Sequence, residues 1–436
     1  MKTFILNNYD CIGFDLDSTI LQYNIKNLIQ LEYKLIIDFL INKRGYNPKY
    51  FNESLTDKDW DFMQNGLFFD FEKGNILKLS SKGKVHSASH GTKFLNDEEI
   101  EQYYSNRLWD LSKIFIENPL VTRNGPLSLK IRTLLTCFDM PISIIFAKAV
   151  DLLDEENGKP LDKYNILPDL LDAILDMYER EQLRNNAGNF YSELKRNPEK
   201  YIKKCSPEVL AWIQELKKTK KIFLVTGSNF DFVEFTTSYA FCENLQSLFD
   251  IIVCYAKKPG FFTENRPFYS LKNNYEDKIL SSEELEVGGI YNQGNFKDLH
   301  KFLARISNIS NPKCLYIGDN LIEDIYSPNV SGSCNTLAII SEQLSEGMLG
   351  YDIPQDYEQV CNSKVWGSFF ILKNSSGHEH SYWNHMIKKY SKICIPELKM
   401  IINISLDEPL KCFCNEDDDK ELNGYYPAKP ISIFNL

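Results

Sequence analysis

Short, nearly uninterrupted apolar runs recur along the chain, and each stops at polar residues: "YDCIGFDLD" (9–17), "KIFLVTGSN" (221–229), "DIIVCYAKKPG" (250–260) and "CLYIGDN" (314–320). Apolarity at five or six consecutive positions, rather than in-out alternation, predicts parallel strands covered on both faces. Helix-period stretches lie between them. In "CSPEVLAWIQELKKTKK", Ser206 and Pro207 suit a cap and first turn, and Leu210, Ile213 and Leu216 fall on one face. Strands alternating with helices predict a doubly wound α/β sheet. Ligands of such sheets sit beyond the carboxyl ends of the strands, where all four runs place their polar residues.

The interval from Thr19 to Lys221 is too long for one crossover. Its first part, "NGLFFDFEKGNILKLSSKGKVHSASHG", reads as β-hairpins with turns at "EKGN" and "SKGK". From Asp97 to about Lys203 the pattern becomes helical, through "LSLKIRTLLTCF", "ISIIFAKAVDLLDEEN" and "LPDLLDAILDMYEREQL". The expected organisation is a discontinuous α/β core, residues 1–96 and 204–436, with a C-terminal extension at 340–436 and a mostly α-helical inserted cap at 97–203.

Composition narrows the class. With 436 residues, 43% of them hydrophobic, the chain can bury a large core and exceeds one simple domain. A net charge of -11 argues against a protein that wraps a nucleic-acid polymer, but a small phosphorylated substrate remains compatible if a metal and a few local cations hold it. No apolar stretch is long enough to span a bilayer, and "MKTFILNNYD" is too short for a signal-peptide core. Eleven scattered cysteines, with Cys11, Cys254 and Cys314 inside strand-like runs, suggest buried free thiols in a reducing, cytoplasmic setting. A homo-oligomer is compatible with this composition.

The remaining polar clusters read as structural. Cys412 and Cys414 lack partners at zinc-site spacing, and His378, His380 and His385 in "GHEHSYWNH" do not form HExxH. His86 and His90 lie in the hairpin region, where a structural or cap-hinge role is expected. The run "NEDDDKE" (415–421) reads as a solvated linker, and "LNGYYPAKP" as a tail that packs back onto the body.

The strand ends carry the chemistry. Asp15 and Asp17 follow the first run, Thr226 and Ser228 the second, Lys258 the third, and Asp319 and Asp324 the fourth. Two carboxylates at the end of a buried strand repel each other, and a hard dication such as Mg²⁺ answers that repulsion by collecting carboxylate and carbonyl oxygens. Asp15 is then placed to attack phosphorus as a nucleophile, giving an aspartyl-phosphate. Asp17 is placed to give a proton to the leaving alcohol and take one from the attacking water, a contribution of about 10²–10⁴-fold. The hydroxyls of Thr226 and Ser228 would hold phosphate oxygens, and Lys258 would offset charge on the nucleophile and the transferring group.

In family order, "DLDST", "VTGS", "KKPGFF" and "GDNLIED" resemble the four motifs of the haloacid dehalogenase superfamily. Within it the chain is similar to the cytosolic purine 5'-nucleotidase group, through "IGFDLDSTI", "DWDFMQNGLFFDFEKGNILKL", "ASHGTKF", "KPGFF", "RPF", "WGSFF" and "GYYP". The resemblance implies a Rossmann-like core with a helical cap, Mg²⁺ dependence and hydrolysis of nucleoside monophosphates. Carried over by motif, Asp15 is nucleophile and metal ligand, Asp17 acid/base and metal ligand through its backbone carbonyl, Asp319 the remaining protein ligand, and Asp324 a support. In the cap, Phe138 in "CFDMP" matches a base-stacking aromatic, and Arg184 in "YEREQLR" a basic residue that reaches the phosphate.

The chain departs from that group along the base-reading helix. Leu171, Leu175 and Tyr178 stand where the purine enzyme has arginine, aspartate and histidine, and Gly227 replaces an asparagine in the second motif. Loss of those polar groups removes much of the basis for purine selection. Two alternatives therefore stand beside the nucleotidase reading: a phosphatase for another small phosphorylated metabolite, and a phosphate-binding interaction protein with little turnover.

Overall fold

The computed structural model describes residues 3–123, 126–241, 244–352, 362–374, 377–413 and 423–434. It divides into two compact units, one built from residues 1–23, 202–343 and 386–429, the other from residues 24–201, 344–385 and 430–436.

The first unit holds a nine-stranded sheet among its described residues. Its strands are β1 (Cys11–Phe14), β2 (Lys221–Val225), β3 (Ile251–Cys254), β4 (Phe268–Lys272), β5 (Tyr275–Leu280), β6 (Gly289–Gln293), β7 (Cys314–Gly318), β8 (Asn335–Ile339) and β9 (Cys394–Ile395). In space they run β5-β4-β6-β3-β2-β1-β7-β8-β9. Every neighbouring pair from β6 to β9 is parallel, and β4 with β5 closes one edge as an antiparallel hairpin. The fold class is therefore α/β. After β6 the chain returns to the far side of β1, so the order reverses between β1 and β7, and ligands of such sheets bind beyond the carboxyl ends of the strands at that switch point.

Every residue of β1, β3 and β7 is buried, which is why these strands appear in the sequence as solid apolar runs. Cys11, Phe223, Val225, Val253 and Tyr316 share one core with Phe296, Leu299, Phe302 and Leu303 of the helix Phe296–Ser307. On β1, Gly13 leaves room for a neighbour: a Cβ there would lie 2.1 Å from the Phe223 ring. The helix Pro207–Lys217 begins after Ser206 with proline in its first turn and buries Leu210, Ile213 and Leu216. The tail packs on this unit through Tyr425, whose ring centroid is 4.9 Å from that of Phe413, and through Gln343, which donates to the carbonyls of Tyr426 and Ala428.

The second unit combines a five-stranded antiparallel sheet with helices that include Ile25–Arg44, Met140–Asn157 and Leu167–Met177. The stretch "LSLKIRTLLTCF", expected to be helical, instead contains the strand Ile131–Thr133, which pairs with Phe68–Asp70. Ile131 and Thr133 are buried and Arg132 is half-buried, a period of two imposed by the partner strand. The same pairing joins the hairpins to the helices that follow. Residues 24–96 therefore belong to this unit and not to the sheet unit, where the sequence pattern had placed them.

Residues 344–385 belong here too. Buried Lys78 donates to the carbonyls of Trp366, Gly367 and Ser368 at 2.8, 3.2 and 2.7 Å, and Trp383 Nε1 donates to Gly66 O at 2.6 Å. His90 sits in a polar network with Asn75, Asp154 and Tyr164 at 2.7, 3.0 and 3.1 Å. Among the described residues no helix is long and apolar enough to cross a membrane. Cys11, Cys254, Cys314 and Cys412 are buried thiols outside any disulfide, whereas Cys414 and the run 415–421 lie outside the described residues.

Candidate active site

The adjacent strands β1 and β7 deliver their carboxylates to the same end of the sheet. Ile317 lies opposite Phe14, and the ladder continues one step as Asp15 N donates to Ile317 O at 2.9 Å. Asp15 and Asp319 thus emerge beside each other. After β7 a π-helical turn, Leu321–Tyr326, places Asp324 back under the strand end, fully buried. Gly318 makes this approach feasible, because a Cβ there would stand 2.5 Å from Asp324 Cβ.

Asp15, Asp319 and Asp324 each offer a carboxylate oxygen, and these atoms all lie within 4.8 Å of one another. Lys258 enters from the loop after β3. Its Nζ is 2.7 Å from Asp15 Oδ1 and 2.7 Å from Asp324 Oδ1, with its side chain 4% exposed. Lys257 is exposed and lies over the Tyr255 ring instead, so the geometry separates two lysines that are equivalent by composition. Asp324 Oδ2 accepts from Asn320 N at 3.1 Å, so both of its oxygens have protein donors.

Burial raises the Asp15 carboxyl to about 8; Lys258 opposes the rise, while Asp324 and Asp17 add to it. Asp319 is raised well above the usual carboxylate range, again by burial first and then by Asp15 and Asp324. Burial alone would lower Lys258, but the two carboxylates outweigh it and raise the ammonium well above its ordinary value.

Asp17 belongs to a different set of contacts. Its Oδ1 accepts from Tyr23 Oη at 2.5 Å, and its Oδ2 accepts from Ser228 Oγ at 2.7 Å and Thr226 Oγ1 at 3.5 Å. Thr226 Oγ1 also accepts from Ser228 N at 3.1 Å, which fixes the two hydroxyls relative to each other. The structure therefore brings together Asp15, Asp319, Asp324 and Lys258 as one cluster, and Asp17, Thr226 and Ser228 as another, all within the first unit. Ser18, Tyr255 and Lys257 have φ of 58°, 45° and 51°, left-handed backbone at non-glycine positions in the loops carrying these groups.

Phe138 and Arg184 lie in the second unit. Phe138 is half-buried in the turn Cys137–Asp139, which leads into the helix Met140–Asn157, and Arg184 is half-buried at the end of the helix Arg180–Arg184. In the same unit Leu175 is 69% exposed, and the Tyr178 hydroxyl donates to Glu32 at 2.5 Å. His378, His380 and His385 enter no metal-ligand group among the described residues.

Sequence reading missed two tyrosines. Tyr23 orients Asp17. Tyr316 donates to Val225 O at 2.8 Å, with Lys258 Nζ 3.5 Å from its hydroxyl. The available signal for Tyr316 was a hydroxyl inside an otherwise apolar strand, and Tyr23 had no comparable one.

Three carboxylates offer only oxygen ligands, the donor set of a hard dication. Ligands about 2.1 Å from a shared centre lie no more than about 4.2 Å apart, so oxygens within 4.8 Å of one another would need only a small inward shift to share one such ion. Oxygen donors, an ammonium and paired hydroxyls at one sheet end are what a phosphoryl-transfer enzyme needs, and comparison with known proteins gives the same class: a phosphomonoester hydrolase. The chain belongs to the 5' nucleotidase family, whose model matches residues 1–351.

It is 32% identical to 5'-nucleotidase domain-containing protein 1 of Homo sapiens, over 99% of this chain and 97% of that one. The identity to the Bos taurus protein of the same name is also 32%, over 99% and 98%. To 5'-nucleotidase domain-containing protein 2 of Rattus norvegicus it is 27%, over 83% of this chain and 61% of the relative.

Proposed function

We propose that the protein is a Mg²⁺-dependent 5'-nucleotidase with a haloacid dehalogenase core and an inserted cap, hydrolysing a nucleoside monophosphate through an aspartyl-phosphate on Asp15. The observation that carries this reading is the Lys258 bridge between Asp15 and Asp324 beside Asp319, at the carboxyl ends of adjacent parallel strands. Asp15, Asp319 and the Asp17 backbone carbonyl would hold the metal, with Asp324 in support, and a bound dication would supply charge neutralisation for nucleophile and phosphoryl oxygens.

In the first step an oxygen of Asp15 bonds to phosphorus as the bond to the leaving alcohol breaks, and Asp17 gives that oxygen its proton. In the second, water attacks the aspartyl-phosphate and returns a proton to Asp17, and inorganic phosphate leaves with Asp15 restored. Tyr23 and Ser228 orient the Asp17 carboxylate for both transfers. Lys258 offsets charge on Asp15 and on the transferring group.

The test is phosphate release from a panel of nucleoside monophosphates and phosphorylated sugars, with Mg²⁺ and with EDTA. Mg²⁺-dependent release that Asp15→Asn lowers by at least about 10³-fold supports the reading. Wild-type turnover by Asp15→Asn refutes the nucleophile.

A second reading, a phosphatase for another small phosphorylated metabolite, is favoured by one observation. Leu171 and Leu175 are apolar and the Tyr178 hydroxyl is committed to Glu32, so none of the three offers an uncommitted polar group for reading a purine. Faster release from sugar phosphates than from any nucleotide would select it.

A further inference from the structure

Five lysines gather on one concave surface of the first unit, away from the carboxylate cluster. A cavity of about 1060 Å³ is lined by Lys297, Lys301, Lys313, Lys389 and Lys392 together with His300. It lies at the amino ends of β7 and β8, where Cys314 and Asn335 begin their strands. Asp319 follows the opposite end of β7, roughly 17 Å away at 3.3 Å per residue. On a chain of net charge -11, such a concentration of positive charge needs an explanation.

Ion pairing among the described residues does not supply it. Lys301 is neutralised by Asp298 at 2.8 Å, and the carboxylate lining the cavity, Glu264, is already held by Arg266 at 2.8 Å. Lys297, Lys313, Lys389 and Lys392 have no carboxylate within 4.0 Å among the described residues. Lys313 and Lys389 rest on the rings of Tyr9 and Tyr390, 4.7 and 5.0 Å from the centroids, which positions their ammonium groups without cancelling the charge. Lys297 stands in the first turn of the helix Phe296–Ser307, where the helix dipole disfavours a cation. Among the described residues none of these four lysines makes an ion pair, and the position of Lys297 opposes its helix dipole.

The lining also offers neutral hydrogen-bonding groups. Ser331 and Ser333 bring their hydroxyls 2.6 Å apart, with Asn311 nearby on the lining. His300 Nε2 donates to Pro312 O at 3.0 Å and ties the helix to the strand entry. Ammonium groups around hydroxyls and amides fit phosphate oxygens, and the volume exceeds what a single phosphate fills.

We propose that this groove is a binding site for a small anion carrying several linked phosphates, separate from the carboxylate cluster. Its concavity, and the placement of lysines on several elements around it, favour a compact ligand over an extended polymer or a bilayer. The ligand would bring counter-charge to Lys297, Lys313, Lys389 and Lys392, which pair with no carboxylate among the described residues.

The experiment is calorimetric titration of full-length protein with inorganic tripolyphosphate at low ionic strength in EDTA. The expected result is one saturable site that weakens by about tenfold or more in Lys297→Glu/Lys392→Glu and by less than about twofold in the charge-matched control Lys58→Glu/Lys82→Glu. Asp15→Asn should bind like wild type, and equal melting temperatures of all variants would establish intact folding.

The absence of wild-type binding overturns the proposal, as does undiminished binding by the groove variant. Equal loss in the control would show a bulk-charge effect, and loss in Asp15→Asn would put the anion at the carboxylates; either also overturns it. A decaglutamate peptide that binds the same lysines more tightly than tripolyphosphate would reassign the groove to acidic peptides.

Discussion

Replacing Lys258 by methionine removes an ammonium while keeping an unbranched stem of similar length. The Nζ lies 2.7 Å from an oxygen of both Asp15 and Asp324, and the three side chains are 4, 8 and 1% exposed. At an effective dielectric of about 20, each contact is worth about 6 kcal/mol of gross Coulomb attraction, most of it offset by the desolvation of the charges. Removing one partner leaves two carboxylates buried without compensation, a net cost of about 3–5 kcal/mol. For a unit of this size that corresponds to a melting temperature lower by roughly 10 °C.

The measurement is a thermal melt in EDTA at a pH above the raised Asp15 value of about 8, where that carboxyl is ionised, repeated with Mg²⁺. We expect the deficit to shrink with Mg²⁺, because a ligand that binds only the folded state restores stability by mass action. The deficit should also shrink as pH falls, since the abandoned carboxylates take up protons. A variant melting within about 2 °C of wild type in EDTA would refute the reasoning, because the bridge would then carry almost no net energy.

Three further outcomes follow from the same geometry. Asp15 titrates near 8 in the folded protein against 3.8 ordinarily, so between those values the folded state holds a proton that the unfolded chain has released; metal-free stability should fall as pH rises from about 4 to 8, and Mg²⁺ should flatten the profile. Gly318→Ala would push a Cβ to 2.5 Å from Asp324 Cβ, and should cost about 1–3 kcal/mol in denaturant unfolding while weakening Mg²⁺-dependent turnover. Tyr23→Phe removes the 2.5 Å hydrogen bond to Asp17 and should lower kcat by about tenfold with KM little changed; an unchanged kcat would remove Tyr23 from the positioning of Asp17.

The sheet was legible because parallel strands buried on both faces appear as apolar runs, and the polar residues that end those runs are the ones the structure gathers. Other features depend on distant partners. The strand Ile131–Thr133 is three residues long and is defined by pairing with Phe68–Asp70, more than sixty residues earlier, so its local pattern gave no warning against a helix. The same pairing moves the hairpins into the second unit. Lys258, the lysine assigned from the sequence, lies between two carboxylates, whereas its neighbour Lys257 lies over a tyrosine ring. Tyr316 looks like core, and its hydroxyl acquires meaning only when Lys258 arrives from the loop after β3.

The three clustered carboxylates are not equivalent, and their differences account for the charge. Asp324 has both oxygens committed, to Lys258 and to Asn320 N, and is fully buried; it is an anchor with little freedom to react. Asp15 engages Lys258 through Oδ1, while its Oδ2 has no protein donor among the described residues, which leaves an oxygen for chemistry. Asp319 is partly exposed and can meet a ligand from solvent. Ionised, three carboxylates beside one ammonium carry two uncompensated negative charges, the deficit that one dication would fill. The raised proton affinities of Asp15 and Asp319 express the same deficit: without a cation, protonation is how carboxylates so close together reduce their repulsion.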